Sequence, residues 1–189
     1  MQRISAGALR GRKLMALPAG VAGLRPTGAR VREAIFDRLG PGILDTRVLD
    51  LYAGSGALAI EALSRGSTSA LLVEDDARVV KHLQGQLAAL GLGARAKVVR
   101  STAERVLAGG PGPATYDLVF VDPPFATPHV FGPITAALVR HRWLAAGARI
   151  VCERERVRGT APSVEYPAEL ELEASRIYGQ VVVEFLQLA

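Results

Sequence analysis

Residues 48–59 read Val48-Leu49-Asp50-Leu51-Tyr52-Ala53-Gly54-Ser55-Gly56-Ala57-Leu58-Ala59, an aliphatic run that enters a glycine turn and leaves it in a helix-forming segment. Gly54 and Gly56 permit a tight turn and a close approach of backbone to ligand, and the helix start presents free N–H groups. Twenty residues after Gly54, Glu74 closes the next aliphatic run, where a carboxylate can accept the ribose hydroxyls of an adenosine. A NAD-binding turn has nearly the same form, with Ala59 an accepted substitute for its third glycine. Asp50 tilts the choice. An acid inside the strand suits a ligand ammonium, as on a methionine moiety, and would sit poorly beside a pyrophosphate.

Outward from this turn, short aliphatic runs alternate with helical stretches. Strands are expected near 48–52, 70–74, 97–100, 117–121 and 148–152, and helices near 57–65, 76–90, 102–108 and 131–140. Such alternation builds parallel βαβ units, so the expected fold class is α/β, a doubly wound, mostly parallel, Rossmann-like sheet. Residues 168–176 and 180–188 read as two consecutive strands joined near Tyr178-Gly179, which predicts an antiparallel C-terminal hairpin at one sheet edge. Upstream, Val31, Ala34, Ile35 and Leu39 form one face of a helix, capped by Thr27 and closed by Gly40-Pro41, with Arg30, Arg32 and Arg38 mostly off that stripe. Residues 1–24 read as a small basic arm or hairpin ahead of a single domain spanning 25–189.

The second decisive stretch is Tyr116-Asp117-Leu118-Val119-Phe120-Val121-Asp122-Pro123-Pro124-Phe125. Consecutive prolines stop the strand and stiffen the loop, so Asp122 projects at the carboxyl edge of the sheet, where open α/β folds bind ligands. A base amine is a poor nucleophile because its lone pair is delocalised into the ring. Acceptors that hold its N–H hydrogens favour a more pyramidal nitrogen and aim the lone pair at an electrophilic methyl. Phe125 offers an apolar face on which a base can stack.

Bulk properties narrow the classes. The chain has 189 residues and a net charge of +5, ordinary for one folded domain. Residues 1–40 hold eight basic residues (Arg3, Arg10, Arg12, Lys13, Arg25, Arg30, Arg32, Arg38) against Glu33 and Asp37, while the other 149 carry 15 basic and 16 acidic. The positive surplus thus lies wholly at the N-terminal end, where it can neutralise phosphates. No apolar run is long enough to span a membrane and no signal peptide is legible, so the expected location is the cytoplasm. Cys152 is the single cysteine and reads as a buried small hydrophobe. His82, His129 and His141 lack metal-ligand spacing, and no metal is expected. Trp143 reads as packing.

The chain resembles the bacterial 16S rRNA (guanine-N2)-methyltransferases of the class I S-adenosylmethionine-dependent fold over nearly its whole length. The resemblance rests on Asp-Leu-Tyr-Ala-Gly-Ser-Gly and Asp-Pro-Pro-Phe, on Ile4-x-x-Gly7 with Arg10-Gly11-Arg12, on Arg25-Pro26-Thr27 with Arg30-Val31-Arg32-Glu33 and Phe36, and on Tyr178-Gly179. It implies S-adenosyl-L-methionine as cofactor, held by Asp50, Gly54, Ser55, Gly56 and Glu74. It makes Asp122, Pro123 and Phe125 the catalytic loop, with Asp122 orienting the target amine. Arg3, Arg10, Arg12, Lys13, Arg25, Arg30 and Arg32 would hold RNA, either ribosomal RNA or an assembling small subunit, by a protein expected to be a monomer. Removing residues 1–20 is expected to impair RNA methylation and spare cofactor binding.

The sequence departs from the fold's usual pattern after the third strand. Many class I methyltransferases place there an Asp that accepts the adenine amino group. Here the chain reads Arg100-Ser101-Thr102-Ala103, leaving the Thr102 hydroxyl to accept and the Ala103 N–H to donate. Two rival readings stay open beside the resemblance. An N6-adenine DNA or RNA methyltransferase would use the same Asp-Pro-Pro-Phe chemistry, although no segment is large enough for a DNA-recognition domain. A non-catalytic RNA-binding assembly factor would have no need of Asp50, Glu74 and Asp122.

Overall fold

The computed structural model describes residues 2–18, 28–124, 128–156 and 164–189. Helix α1 (Ala29–Leu39) precedes four βα units and a fifth strand, built from β1 (Arg47–Asp50), α2 (Ala57–Ser64), β2 (Ser69–Glu74), α3 (Ala77–Ala89), β3 (Ala96–Arg100), α4 (Ala103–Ala108), β4 (Tyr116–Val121), α5 (Phe131–Arg140) and β5 (Leu144–Glu155). Strands β6 (Leu170–Tyr178) and β7 (Val181–Leu188) follow. The sheet order is β3-β2-β1-β4-β5-β7-β6. Pairings from β3 through β5 are parallel, and β7 is antiparallel to both β5 and β6. The expected doubly wound sheet with an antiparallel hairpin at one edge is therefore present.

Alternation along the strands divides the core in two. Val48, Leu72, Leu118, Phe120 and Val151 pack with α1, α2 and α3 on one face. Leu49, Val73, Val119, Val121 and Ile150 pack with α4 and α5 on the other. Cys152 and Trp143 lie buried in the second cluster, the indole stacked on Tyr116 with ring centroids 5.7 Å apart and donating from Nε1 to the Leu107 carbonyl. Burial raises the Cys152 thiol pKa far from the reactive range. Both residues are packing, as expected.

The N-cap of helix α1 is Gly28, which provides no side-chain cap. The expected cap, Thr27, lies outside the described residues, as do Arg25 and Pro26. Gly40 ends the helix as expected, and Arg149 on β5 donates to the carbonyls of Leu39, the last helical residue, and of Gly42 in the turn that follows.

The basic arm forms a small hairpin, with Arg3 bridged to Lys13 and backbone bonds between Ile4 and Arg12 and between Leu14 and Gln2. It is docked rather than appended. Ile4 and Leu14 are buried in the first cluster. At Gly7, whose φ is +78°, a Cβ would lie 1.8 Å from the Ser64 carbonyl oxygen, so only glycine lets the hairpin lie on α2. Buried polar side chains hold it there, Glu61 and Gln86 among them. Glu61 on α2 accepts from the Ser5 N–H, the Ser5 hydroxyl and the Ala6 N–H, while Gln86 on α3 accepts from the Met15 N–H. Deleting residues 1–20 would therefore open the first core cluster and orphan these groups, so the truncation removes packing of the fold together with the exposed cations of the arm.

Candidate active site

Strand order reverses between β1 and β4, because the chain steps outward one way through β2 and β3 and the other way through β4 and β5. The loops after β1 and β4 therefore leave the sheet side by side at its carboxyl edge, the usual ligand position in open α/β sheets. The first is the glycine turn and the second begins with Asp122. Asp50 ends β1 and Glu74 ends β2, one strand further out.

The turn is fixed from both sides. The Ala53 N–H donates to the Val73 carbonyl and the Gly54 N–H donates to Glu74 Oε2 at 3.0 Å. Gly56 is the N-cap of α2 with φ +73°, and a Cβ there would meet Leu83 at 2.7 Å. The left-handed backbone and close packing both exclude a side chain. Glu74 Oε1 also accepts from the Asp75 and Asp76 amides. Three of about four carboxylate lone-pair sites are thus used by backbone. As folded, Glu74 braces the glycine turn.

Asp50 is 1% exposed, and neither of its carboxylate oxygens has a hydrogen-bond partner. Its pKa is pushed up to about 7, first by burial and then by the charge of Asp122. The nearby Ala59 and Tyr52 amides pull the other way, and Glu74 adds to the upward push. A buried carboxylate with no donor is costly unless a ligand supplies one. A primary ammonium does so with up to three N–H bonds and a compensating charge. The orphaned Asp50 oxygens thus fit the ammonium of a methionine moiety.

The Ser101 N–H donates to the Glu74 carbonyl, which brings the 101–103 turn beside the end of β2. Thr102 is the N-cap of α4, its hydroxyl oxygen accepting from the Arg105 N–H at 3.3 Å. The oxygen expected to receive an adenine amine is therefore already serving as a cap. Ala103 is buried in the first turn of α4. Tyr52 donates to Glu104 at 3.3 Å, tying the glycine turn to the same helix.

Asp122 is half-buried and Pro123 buried, while Phe125 lies outside the described residues. Asp50, Glu74 and Asp122 stand close enough for the charges of the other two to shift Asp50.

The cationic residues divide. Arg3, Arg10, Arg12 and Lys13 are exposed on the hairpin and Arg30 on α1. Arg3 donates to the Gly11 carbonyl and Arg12 to the Ala89 carbonyl, which sets their stems and leaves further donors for phosphate. Arg32 departs from its expected place on the RNA side. It is 1% exposed, donates to the Arg3 carbonyl at 2.6 Å and pairs with Glu61 at 3.4 Å. The hairpin covers that side of α1, so Arg32 serves the fold. Among the described residues no cluster of side chains could hold a metal, and no helix is long and apolar enough to cross a membrane.

The polar residues that build this region but escaped the sequence reading are Glu61, Arg65 and Gln86. A signal existed for Glu61. Helix α2 reads Ala-Leu-Ala-Ile-Glu-Ala-Leu-Ser and is buried at every position, and an acid in a helix apolar on all sides must find a buried partner.

Comparison with known proteins places this geometry among relatives. The family model described as conserved hypothetical protein 95 matches residues 2–187. The Escherichia coli K12 protein named ribosomal RNA small subunit methyltransferase D is 43% identical over 98% of this chain and 89% of its own length. The solved structure of yhhF from Escherichia coli superposes with a TM-score of 0.85 at 41% identity, covering 99% of this chain and 97% of that one. A Salinibacter ruber RNA methyltransferase solved in complex with S-adenosyl-L-homocysteine has a TM-score of 0.62 at 14% identity, covering 87% and 94%, a likeness of fold.

Proposed function

The chain belongs to the conserved hypothetical protein 95 family, alongside the ribosomal RNA small subunit methyltransferase D of Escherichia coli, and from that membership we propose that it methylates the exocyclic N2 amine of a guanine in small-subunit ribosomal RNA, using S-adenosylmethionine. The observation that carries the cofactor assignment is the buried carboxylate of Asp50 with both oxygens unmet. Its neighbours Glu74 and Asp122 make the crevice anionic. That environment favours a ligand bearing an ammonium and a sulfonium over one bearing a pyrophosphate.

When bound, S-adenosylmethionine supplies an electrophilic methyl group. Asp50 holds the ammonium, Glu74 takes a ribose hydroxyl, and Gly54, Ser55 and Gly56 line the turn, with Thr102 and Ala103 at the adenine end. Asp122 accepts from the target amine and stabilises the positive charge that grows on nitrogen as it attacks. Pro123 stiffens that loop and Phe125 stacks on the base. An ordinary carboxylate is too weak a base to remove a proton from a neutral arylamine beforehand, so proton loss follows attack.

Arg3, Arg10, Arg12, Lys13, Arg30 and Arg25 hold the RNA backbone, whether in free RNA or an assembling subunit, and the protein acts as a monomer in the cytoplasm. The hairpin turn lies at Ser64, the C-terminal end of α2, about 12 Å along the helix from the glycine turn at 1.5 Å per residue. The RNA footprint therefore runs down this side of the domain from the catalytic edge.

The test is transfer of labelled methyl from S-adenosylmethionine to 16S RNA from cells lacking the protein, followed by digestion to nucleosides. Label in N2-methylguanosine is expected. Label in N6-methyladenosine would change the substrate, and no label would remove the activity.

Cofactor affinity should follow the ionisation of Asp50. Between about pH 6 and pH 7.5 binding of S-adenosylhomocysteine is expected to tighten several-fold as a carboxyl with pKa about 7 gives up its proton. Calorimetry at several pH values reads this slope, which Asp50→Asn should flatten. An equal slope in the variant would separate Asp50 from the ammonium.

A further inference from the structure

Gln86 is 1% exposed on α3, and both ends of its amide are engaged. Oε1 accepts from the Met15 N–H at 2.6 Å, and Nε2 donates to the Ser55 carbonyl at 2.7 Å. An N–H on one side and a C=O on the other allow only one orientation of the amide. Met15 directly follows the hairpin residue Leu14, which is anchored in the core. Ser55 stands between Gly54, held by Glu74, and Gly56, the N-cap of α2. A single buried side chain thus joins the basic hairpin to the turn read above as the cofactor cradle.

We propose that Gln86 is a positioning residue that couples the hairpin to the glycine turn, so that cofactor seated on the turn rigidifies the hairpin and RNA seated on the hairpin favours cofactor. The physical basis is that Ser55 and Met15 can move independently only if one of two short hydrogen bonds is broken, leaving a polar end of the fully buried Gln86 amide unsatisfied. A ligand that orders Ser55 therefore removes states in which Met15 is released. By linkage the effect is reciprocal, and anything that orders Met15 raises affinity at the turn by the same factor. Glu61 provides a parallel anchor, but it grips the hairpin at Ser5 and Ala6 from the middle of α2 and has no bond to the turn. The two staples therefore differ in kind. Glu61 fixes where the hairpin lies, and Gln86 reports to the hairpin whether the turn is occupied.

The inference rests on the cofactor reading of the glycine turn and is tested with S-adenosylhomocysteine and amide hydrogen exchange on the whole chain. In the wild-type protein, saturating ligand should slow exchange around residues 54–56, and also across residues 2–15 by about fivefold. In Gln86→Met, which keeps side-chain length and removes both polar atoms, protection around the turn should persist while protection of the hairpin disappears. A residue that merely contributes stability would speed exchange with and without ligand alike and leave the ligand-dependent change intact. If Gln86→Met does not fold, Met15→Pro removes the N–H that Gln86 accepts and spares the Ser55 bond, and hairpin protection should again be lost. Unchanged hairpin exchange in the wild type, or ligand protection of the hairpin surviving in Gln86→Met, overturns the coupling. Absence of protection at residues 54–56 in the wild type is a different failure, because it strikes the cofactor reading and the coupling falls with it.

Discussion

Asp122→Ala is expected to slow single-turnover methyl transfer by a factor on the order of 10²–10³, the usual cost of losing one preorganised electrostatic partner. The nitrogen gains positive charge as it attacks, and Asp122 is the carboxylate at the head of the loop beside the glycine turn. Asp122→Asn keeps an acceptor oxygen and removes the anion. It should be nearly as slow, because charge stabilisation is the larger part of the effect. Cofactor affinity should change only a few-fold, but its pH dependence should move. Asp122 is the second cause, after burial, of the raised pKa of Asp50. Without it Asp50 ionises at lower pH, and the rise in affinity shifts in the same direction. Rate measured at saturating cofactor and RNA, with calorimetry across pH, reads both effects. A wild-type rate in Asp122→Ala would take this residue out of the chemistry.

Glu61→Ala should cost about 3–5 kcal/mol of folding stability, the range for removing one partner from a buried ion pair. The change orphans the buried Arg32 guanidinium, the Ser5 and Ala6 amides and Arg65, which donates to Glu61 at 2.9 Å. Burial raises the Glu61 pKa, but hydrogen bonds from Ser5 and then the bond and charge of Arg65 outweigh it and hold the group below its usual value. Because the folded value is the lower one, this stabilisation is present above about pH 4.5, the unfolded value, and is lost as pH falls through the folded pKa. Asp50 has the opposite sign. Its folded pKa is the higher one, so without ligand its contribution becomes unfavourable as pH rises from about 4 to about 7. Urea unfolding measures the cost, and Glu61→Leu combined with Arg32→Met should recover much of it by removing the orphaned charge. A loss below about 1 kcal/mol in Glu61→Ala would mean that the network is solvated.

The contrast between Asp50 and Glu61 also shows what was legible in the chain. Asp50 could be read because its strand, the two glycines and Glu74 follow a spacing tied to one local geometry, and the switch-point topology then brought Asp122 beside it. Arg32 could not. Helical periodicity reports the face that meets the sheet, and Arg32 lies off that stripe. Its burial comes from a second layer, the hairpin, whose docking depends on Gly7 fitting against Ser64. Gln86 was hidden for the same reason. A polar residue on an amphipathic helix reads as solvent-facing until something packs over it. At Thr102 the local pattern also carries a capping role, since a threonine ahead of a short helix is a cap candidate and the structure uses it as one.

The placement of β7 between β5 and β6 has a consequence for the order in which the molecule assembles during synthesis. Strands consecutive in sequence usually lie side by side, yet β6 leaves the ribosome before the strand that separates it from β5. Until residues 181–188 emerge, β5 carries an unpaired edge open to strands of other chains. The tight β6–β7 turn allows that hairpin to form first by itself, on the microsecond scale, and dock afterwards through β7. Nascent chains stalled between residues 155 and 181 would therefore expose the edge of the strand beside β4, from which the Asp122 loop departs, and chaperones should engage the protein most strongly over that interval.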